Sequence, residues 1–220
     1  MNNLGKIPVG EALKNLLSIS SDPICDVVPV LPKAVVDLAG ARSGELLALL
    51  KAKNGFYAFE SALHVLPAGC PTLPANLQTW NDIKLWRGLY GESTKEFVSF
   101  AEDIYACQFG ILHENICKFE PETGEIERFA TNLEEWAHKI LDDYEYETGH
   151  PVARRWQELH GPLTPGTRLF PKIPFVLRGQ YDVENLFALD AFEGLKYQAE
   201  IYQQIRDVPD GSTIRLRIIE

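Results

Sequence analysis

The most enzyme-like feature of this chain is the carboxylate pair Glu102-Asp103. A general acid and a general base need different environments, and both must reach one substrate. Adjacent residues on a strand point to opposite faces, so these two are not expected to share a site. Their context predicts a strand-end turn or a capping carboxylate. The five histidines are His64, His113, His138, His150 and His160, and none has a second ligand at metal-binding spacing. His138 follows Glu134 by four residues and reads as half of a surface ion pair. His113 lies in a turn, His150 precedes a proline at a helix start, and His160 ends a helix, where it suits the dipole. The phosphate-loop, GxGxxG, HExxH, CxxC and GxSxG patterns are absent. No catalytic residue, cofactor or metal ligand is therefore expected.

The four cysteines, Cys25, Cys70, Cys107 and Cys117, are widely spaced. The start MNNLGKIPVGEALKNLL lacks a secretory pattern, so reduced thiols in a cytoplasmic protein are expected. Cys107 and Cys117 flank a turn at 113–115. Pairing across that turn sets Cys107 opposite position 120 or 121 and Cys117 opposite 110 or 111. The offset, roughly 10 Å at about 3.4 Å per residue, exceeds disulfide reach. Trp80, Trp86, Trp136 and Trp156 all fall in expected helices and read as core anchors against a sheet.

The elements that must position these residues are unevenly marked. Glu11–Leu17 offers one or two helical turns, and Pro23, Pro29 and Pro32 punctuate an extended segment. Residues 43–53 read as a helix capped by Ser43 and stopped at Asn54-Gly55. Residues 56–66 read as a strand-like run, and Trp80–Tyr90 as a short helix with Ile83, Trp86 and Tyr90 on one side. Four strands are expected near 96–101, 106–112, 115–120 and 125–130, with Pro121–Gly124 a tight turn whose glycine takes positive φ. Thr131-x-x-Glu134 then reads as a capping box for a helix burying Leu133, Trp136, Ala137, Ile140, Leu141 and Tyr144. A helix with Pro151 at its first position, Gly161 just past its end and Trp156 and Leu159 buried, a proline-rich connector at 162–174 and an extended 175–189 follow. Asp190 starts a helix through Leu195, Ala199, Tyr202 and Ile205, and Thr213–Ile219 reads as a last strand.

Charge is distributed unevenly. Between Glu114 and Glu147 there are 11 acidic and 3 basic residues, so this segment carries −8 of the total −10. A near-neutral body with one acidic flank fits binding to something basic. The same balance argues against direct nucleic-acid binding, which needs clustered Lys and Arg, and against anionic membrane surfaces. No apolar run approaches the roughly 20 residues needed to span a bilayer.

The block FAEDIYACQFGI…ICKFEPETGEIERFATNLEEWAHKIL resembles the SUKH superfamily, which includes the yeast Smi/Knr-like cell-wall regulators and many bacterial immunity proteins. The likeness rests on Asp103-Ile104-Tyr105, Gln108-Phe109, Pro121-Glu122-Thr123-Gly124-Glu125 and Leu133-Glu134-Glu135-Trp136. The segments LLALLKAKNGFYAFESALHVLP, WNDIKLWRGLYG and PKIPFVLRGQYDVENLFALD also resemble the bacterial branch, as does the closing PDGSTIRL. Ala106-Cys107 stands where relatives commonly have glycine after the aromatic. A Leu-Pro-x-x-Tyr entry before the first helix is not visible.

The resemblance implies an α+β fold, a mainly antiparallel sheet with helices packed around it. It divides the chain into an N-terminal extension at 1–42 and a single domain at 43–220 with a C-terminal helix-strand extension. It also implies binding rather than catalysis, as in an immunity protein that neutralises a nuclease- or deaminase-type toxin. Such toxins are commonly basic because they handle phosphate. The expected partner is thus a basic protein domain, with no nucleic acid or membrane, and monomer and dimer are both open. The candidate partner-binding residues are Glu122, Glu125, Glu127, Asp142, Asp143, Glu145 and Glu147, with the carboxylates of the Pro121–Gly124 turn facing outward. A SUKH-type scaffold module without a toxin partner and an enzyme of unrecognised type are the alternatives.

Overall fold

The four strands expected between 96 and 130 become consecutive antiparallel neighbours in the computed structural model, which describes residues 9–209, 211 and 212. Helix α1 spans Glu11–Ser18, α2 Lys33–Ala39 and α3 Arg42–Ala52. Strands β1 (Phe56–Ala58) and β2 (Leu63–Val65) follow, then the single-turn helices α4 (Leu77–Trp80) and α5 (Trp86–Leu89). Strands β3 (Val98–Glu102), β4 (Gln108–Leu112), β5 (Asn115–Glu120) and β6 (Glu125–Ala130) lead into α6 (Leu133–Asp142). Helices α7 (Tyr144–Thr148) and α8 (His150–His160), strands β7 (Thr167–Pro171) and β8 (Leu186–Asp190) and helix α9 (Ala191–Ile205) complete the described elements. The fold is α+β: β1 to β6 form one antiparallel meander in chain order, and β7 and β8 pair separately.

Short turns fix the meander. His113 and Glu114, with φ of 46° and 62°, make the two-residue turn between β4 and β5, pairing Leu112 with Asn115. Gly124 has φ +70°, and a Cβ there would lie 2.6 Å from the Tyr202 ring, so backbone and packing both demand glycine. Helices cover both faces of the sheet. On β4, the Gln108 amide oxygen accepts from the Trp80 indole of α4, whereas the next ring, Phe109, stands edge-on to Trp136 of α6. Trp80, Trp86 and Trp136 are fully buried and Trp156 is partly so.

Several local expectations are corrected. Residues 56–66 are not one run but a hairpin, because Phe59, Glu60 and Ser61 take φ of 52°, 53° and 72° and reverse the chain. Trp80–Tyr90 is split into two short helices. The Asn81 side chain bonds the backbone of Ser99 on β3 and pulls the chain out of helix, leaving Ile83 exposed. Asn76 caps the first of these helices, its side chain accepting the Gln78 and Thr79 N–H groups. Ser43 lies inside α3, its hydroxyl donating to the Gly40 carbonyl, and Ala41 is the residue before the helix. The capping box of α6 is shifted by one: Asn132 accepts from Glu135 N–H, and Glu135 reaches back to Thr131. Leu159 is exposed, the 162–174 connector contains β7, and 175–189 holds two 3₁₀ turns before β8. The expected strand at 213–219 lies outside the described residues.

The shift at α6 frees Glu134. Its carboxylate accepts the Ala12 and Leu13 N–H groups at 2.6 and 3.3 Å, capping α1, whose preceding Gly10 has no side chain to do so. Residues 21–25 run beside β1 through Ser21 N–H to Tyr57 O and Ile24 N–H to Gly55 O. There the expectation of four free thiols fails: Cys25 and Cys70 form a disulfide, with Cα atoms 6.4 Å apart across 45 residues. The buried Asn54 amide brings the two segments together by donating to the Val27 and Ala68 carbonyls. Cys107 and Cys117 are free and buried, with Cys117 opposite Gly110 as expected.

Candidate partner-binding site

One end of the meander carries the turns 103–107 and 121–124, and the chemistry gathers there. Asp103 ends the reach of β3. Its Oδ1 accepts the N–H groups of Tyr105 and Cys107, both at 2.9 Å, which folds the turn around the carboxylate. This is the capping role expected of it. Ala106 takes φ +64°, a left-handed conformation that tightens the turn. Gly149, between α7 and α8, has φ +68°, and a Cβ there would come within 2.5 Å of Tyr105 and 2.7 Å of Ile104. This lets the α7–α8 corner sit against the turn.

The corner, the turn and the loop carrying Phe175 and Tyr181 enclose an opening of about 480 Å³. One wall is aromatic: Phe175 stacks on Tyr181 at 3.8 Å between centroids, and Tyr105 stands edge-on to both. The floor is charged. Lys118 Nζ lies 3.4 Å from Asp103 and 3.6 Å from Glu147. Glu120 accepts the Cys107 thiol at 3.1 Å and has no cationic partner among the described residues. Gln198 of α9 is 1% exposed, and its side-chain oxygen has no hydrogen-bond partner among the described residues.

Electrostatics at this end are perturbed. Burial pushes the Asp103 carboxyl up to about 6 against the opposing pull of Lys118. Burial alone would lower the Lys118 ammonium, but Asp103, Cys107 and Glu147 outweigh it and hold it charged. Burial, with Asp103 and Glu120 nearby, also raises the Cys107 thiol well above its ordinary range, so it is no nucleophile at neutral pH.

The expected acidic residues separate into groups. Glu122 does not face outward. It is 2% exposed, its Oε2 accepts Val176 N–H at 2.8 Å, and burial raises it to about 7. The 172–178 segment folds back over the turn and covers it, a tertiary event with no local signal. Asp142 is exposed and pairs with His138 at 2.8 Å, so the histidine's partner is Asp142 and not Glu134. Glu147 is tied to Lys118. Asp143 caps α7 through Tyr146 N–H. Glu125, Glu127, Asp143 and Glu145 are exposed and have no ion-pair partner among the described residues. Lys118 pairs across the strands with Glu127, and Glu120 with Glu125, so all four stand on one face of β5 and β6.

Behind this end lies a group that the sequence reading missed. Glu102 and His64 are cross-strand neighbours, and Glu102 Oε1 lies 2.9 Å from His64 Nδ1 and 3.0 Å from Arg168 Nε. All three are at most 2% exposed. Gln108 joins them by donating to Glu102 Oε2. Burial would raise the Glu102 carboxyl, but Arg168 and His64 hold it below its usual value. Burial, aided by Arg168, lowers His64, which stays neutral beside the carboxylate. Tyr57 stacks on His64 at 4.5 Å and covers the group. Glu102 and Asp103 therefore serve separate places, as their adjacency requires. Alternation between Glu102 and Gln108 on neighbouring strands was the available signal, but Arg168, 66 residues on, had none.

No protein-family model and no curated protein matches this chain. Among solved structures, the crystal structure of Atu4351 from Agrobacterium tumefaciens is similar, with a TM-score of 0.57 and 13% identity over 84% of this chain and 87% of that one. That likeness concerns the fold. Among the described residues, no helix is long and apolar enough to cross a membrane.

Proposed function

We propose that this chain is a SUKH-type protein-binding domain, an immunity protein that neutralises a basic toxin domain of nuclease or deaminase type by stoichiometric binding. The observation that carries the reading is the concentration of −8 charge in residues 114–147, with Glu125, Glu127, Asp143 and Glu145 exposed and unpaired among the described residues. Like charges directly opposite on paired strands, as at Glu120 and Glu125, oppose folding, and a cationic partner relieves that repulsion. An acidic face of this kind steers a basic partner and speeds encounter.

The test is co-expression with adjacent toxin-like reading frames, followed by association kinetics. A stoichiometric complex and protection of the cell are expected. Reversing Glu125 and Glu127 to lysine should slow association by about tenfold at low salt, with less effect on dissociation. Failure of every adjacent candidate to give complex or protection would remove the immunity reading. The raised Asp103 and Glu122 carboxyls also meet a requirement of acid–base sites, so substrate turnover abolished by Asp103→Asn would overturn the binding reading.

A further inference from the structure

We infer that the opening between Tyr105, Tyr181, Glu120 and Gln198 is a socket for one arginine side chain of the protein partner. The inference rests on the reading above and names the contact at its centre. Three features specify the occupant. The first is the aromatic wall: Tyr181 is 60% exposed, although its ring is held against Phe175, so a planar face waits at the mouth. A guanidinium stacks on such a face. The second is the anionic floor. Lys118 is balanced by Asp103 and Glu147, so the carboxylates of Glu120 and Glu145 are left in excess around the opening. The third is Gln198, which lines the opening and whose buried side-chain oxygen has no donor among the described residues. Buried acceptors without donors are rare in folded proteins. A guanidinium has five N–H donors in a plane, enough to serve Glu120 and Gln198 together while its face lies on the ring. An ammonium donates from a point and does not stack in this way.

The opening, about 480 Å³, has room for the head and stem of such a side chain. Cys107 and Asp103 close its inner end through the hydrogen bonds already described, so a cation entering there meets carboxylates held in fixed positions.

The test uses N-acetyl-arginine amide as probe on the full chain, followed by NMR of the tyrosine rings and the Gln198 side-chain amide. Saturable shifts of Tyr105, Tyr181 and Gln198 are expected. The neutral isostere N-acetyl-citrulline amide should give none, and N-acetyl-lysine amide should bind more weakly. Tyr181→Ala removes an exposed ring and leaves the core intact. It and Glu120→Gln should each weaken arginine-amide binding by about fivefold or more. Equal binding of the citrulline probe, tighter binding of the lysine probe, or shifts confined to Glu125 and Glu127 would overturn the socket. If a toxin partner binds and Tyr181→Ala and Glu120→Gln leave its affinity unchanged, the socket fails while the immunity reading stands. If the arginine probe fills the socket but no toxin is captured, the immunity reading fails and the socket stands.

Discussion

Arg168 Nε stands 3.0 Å from Glu102 Oε1, and this ion pair joins the two-stranded sheet to the end of β3. Beside it, Leu169 N–H donates to the Ile104 carbonyl at 2.9 Å, so charge and backbone bind the same two segments. Arg168 Nη2 has no hydrogen-bond partner among the described residues, and the Nε contact is an ion pair without hydrogen-bond alignment.

Breaking that pair leaves an uncompensated buried charge. Arg168→Met should lower unfolding free energy by roughly 3–5 kcal/mol in urea titration. Arg168→Met with Glu102→Gln should be less damaging than Arg168→Met alone, since no carboxylate is then stranded. A loss below about 1 kcal/mol for the single variant would mean the pair is not structural.

Glu122 makes stability depend on pH. Burial raises its carboxyl from 4.5 to about 7, so between those values the folded chain holds more protons than the unfolded one. Its contribution is present at low pH and is lost as pH rises through about 7; Asp103, raised to about 6, acts in the same sense. Glu122→Gln keeps an acceptor for Val176 N–H and should stabilise the protein at pH 8 by about 2 kcal/mol while flattening the profile from pH 5 to 8. An unchanged profile in thermal melts across that range would exclude this linkage.

Glu134 should act on α1 from a distance of 122 residues along the chain. Glu134→Ala removes the carboxylate from the α1 N-terminus and should cost about 1 kcal/mol. Hydrogen exchange at Ala12 and Leu13 should accelerate more than at Trp136, which lies on the helix carrying the substitution. Equal acceleration at both places would point to general destabilisation.

The Cys25–Cys70 disulfide closes a separation of 45 residues. By loop-closure entropy, its reduction should lower stability by about 4 kcal/mol. Denaturation with and without dithiothreitol measures this, and the Cys25→Ser/Cys70→Ser variant should match the reduced protein. Coincident oxidised and reduced curves would show that the bond does not constrain the unfolded chain.

Local pattern determined much of this protein. The strand-like runs near 96–101, 106–112, 115–120 and 125–130 gave β3 to β6, the apolar stripe gave α6 although its cap lies one residue beyond the expected box, and Asp190 gave the start of α9, accepting the Phe192 and Glu193 N–H groups. Adjacency alone separated Glu102 from Asp103, and strand register alone kept Cys107 from Cys117. These outcomes depend on φ, ψ and side-chain period within a few residues. The tertiary structure decided what depends on segments distant in sequence. Glu122 became buried when 172–178 folded over it, Glu134 became a cap for α1, Cys25 met Cys70, and Arg168 reached Glu102. The acidic count was visible in the chain. Which carboxylates remain exposed was not, because the burial of Glu122 and the pairing of Glu147 with Lys118 arise only when elements distant in sequence pack together.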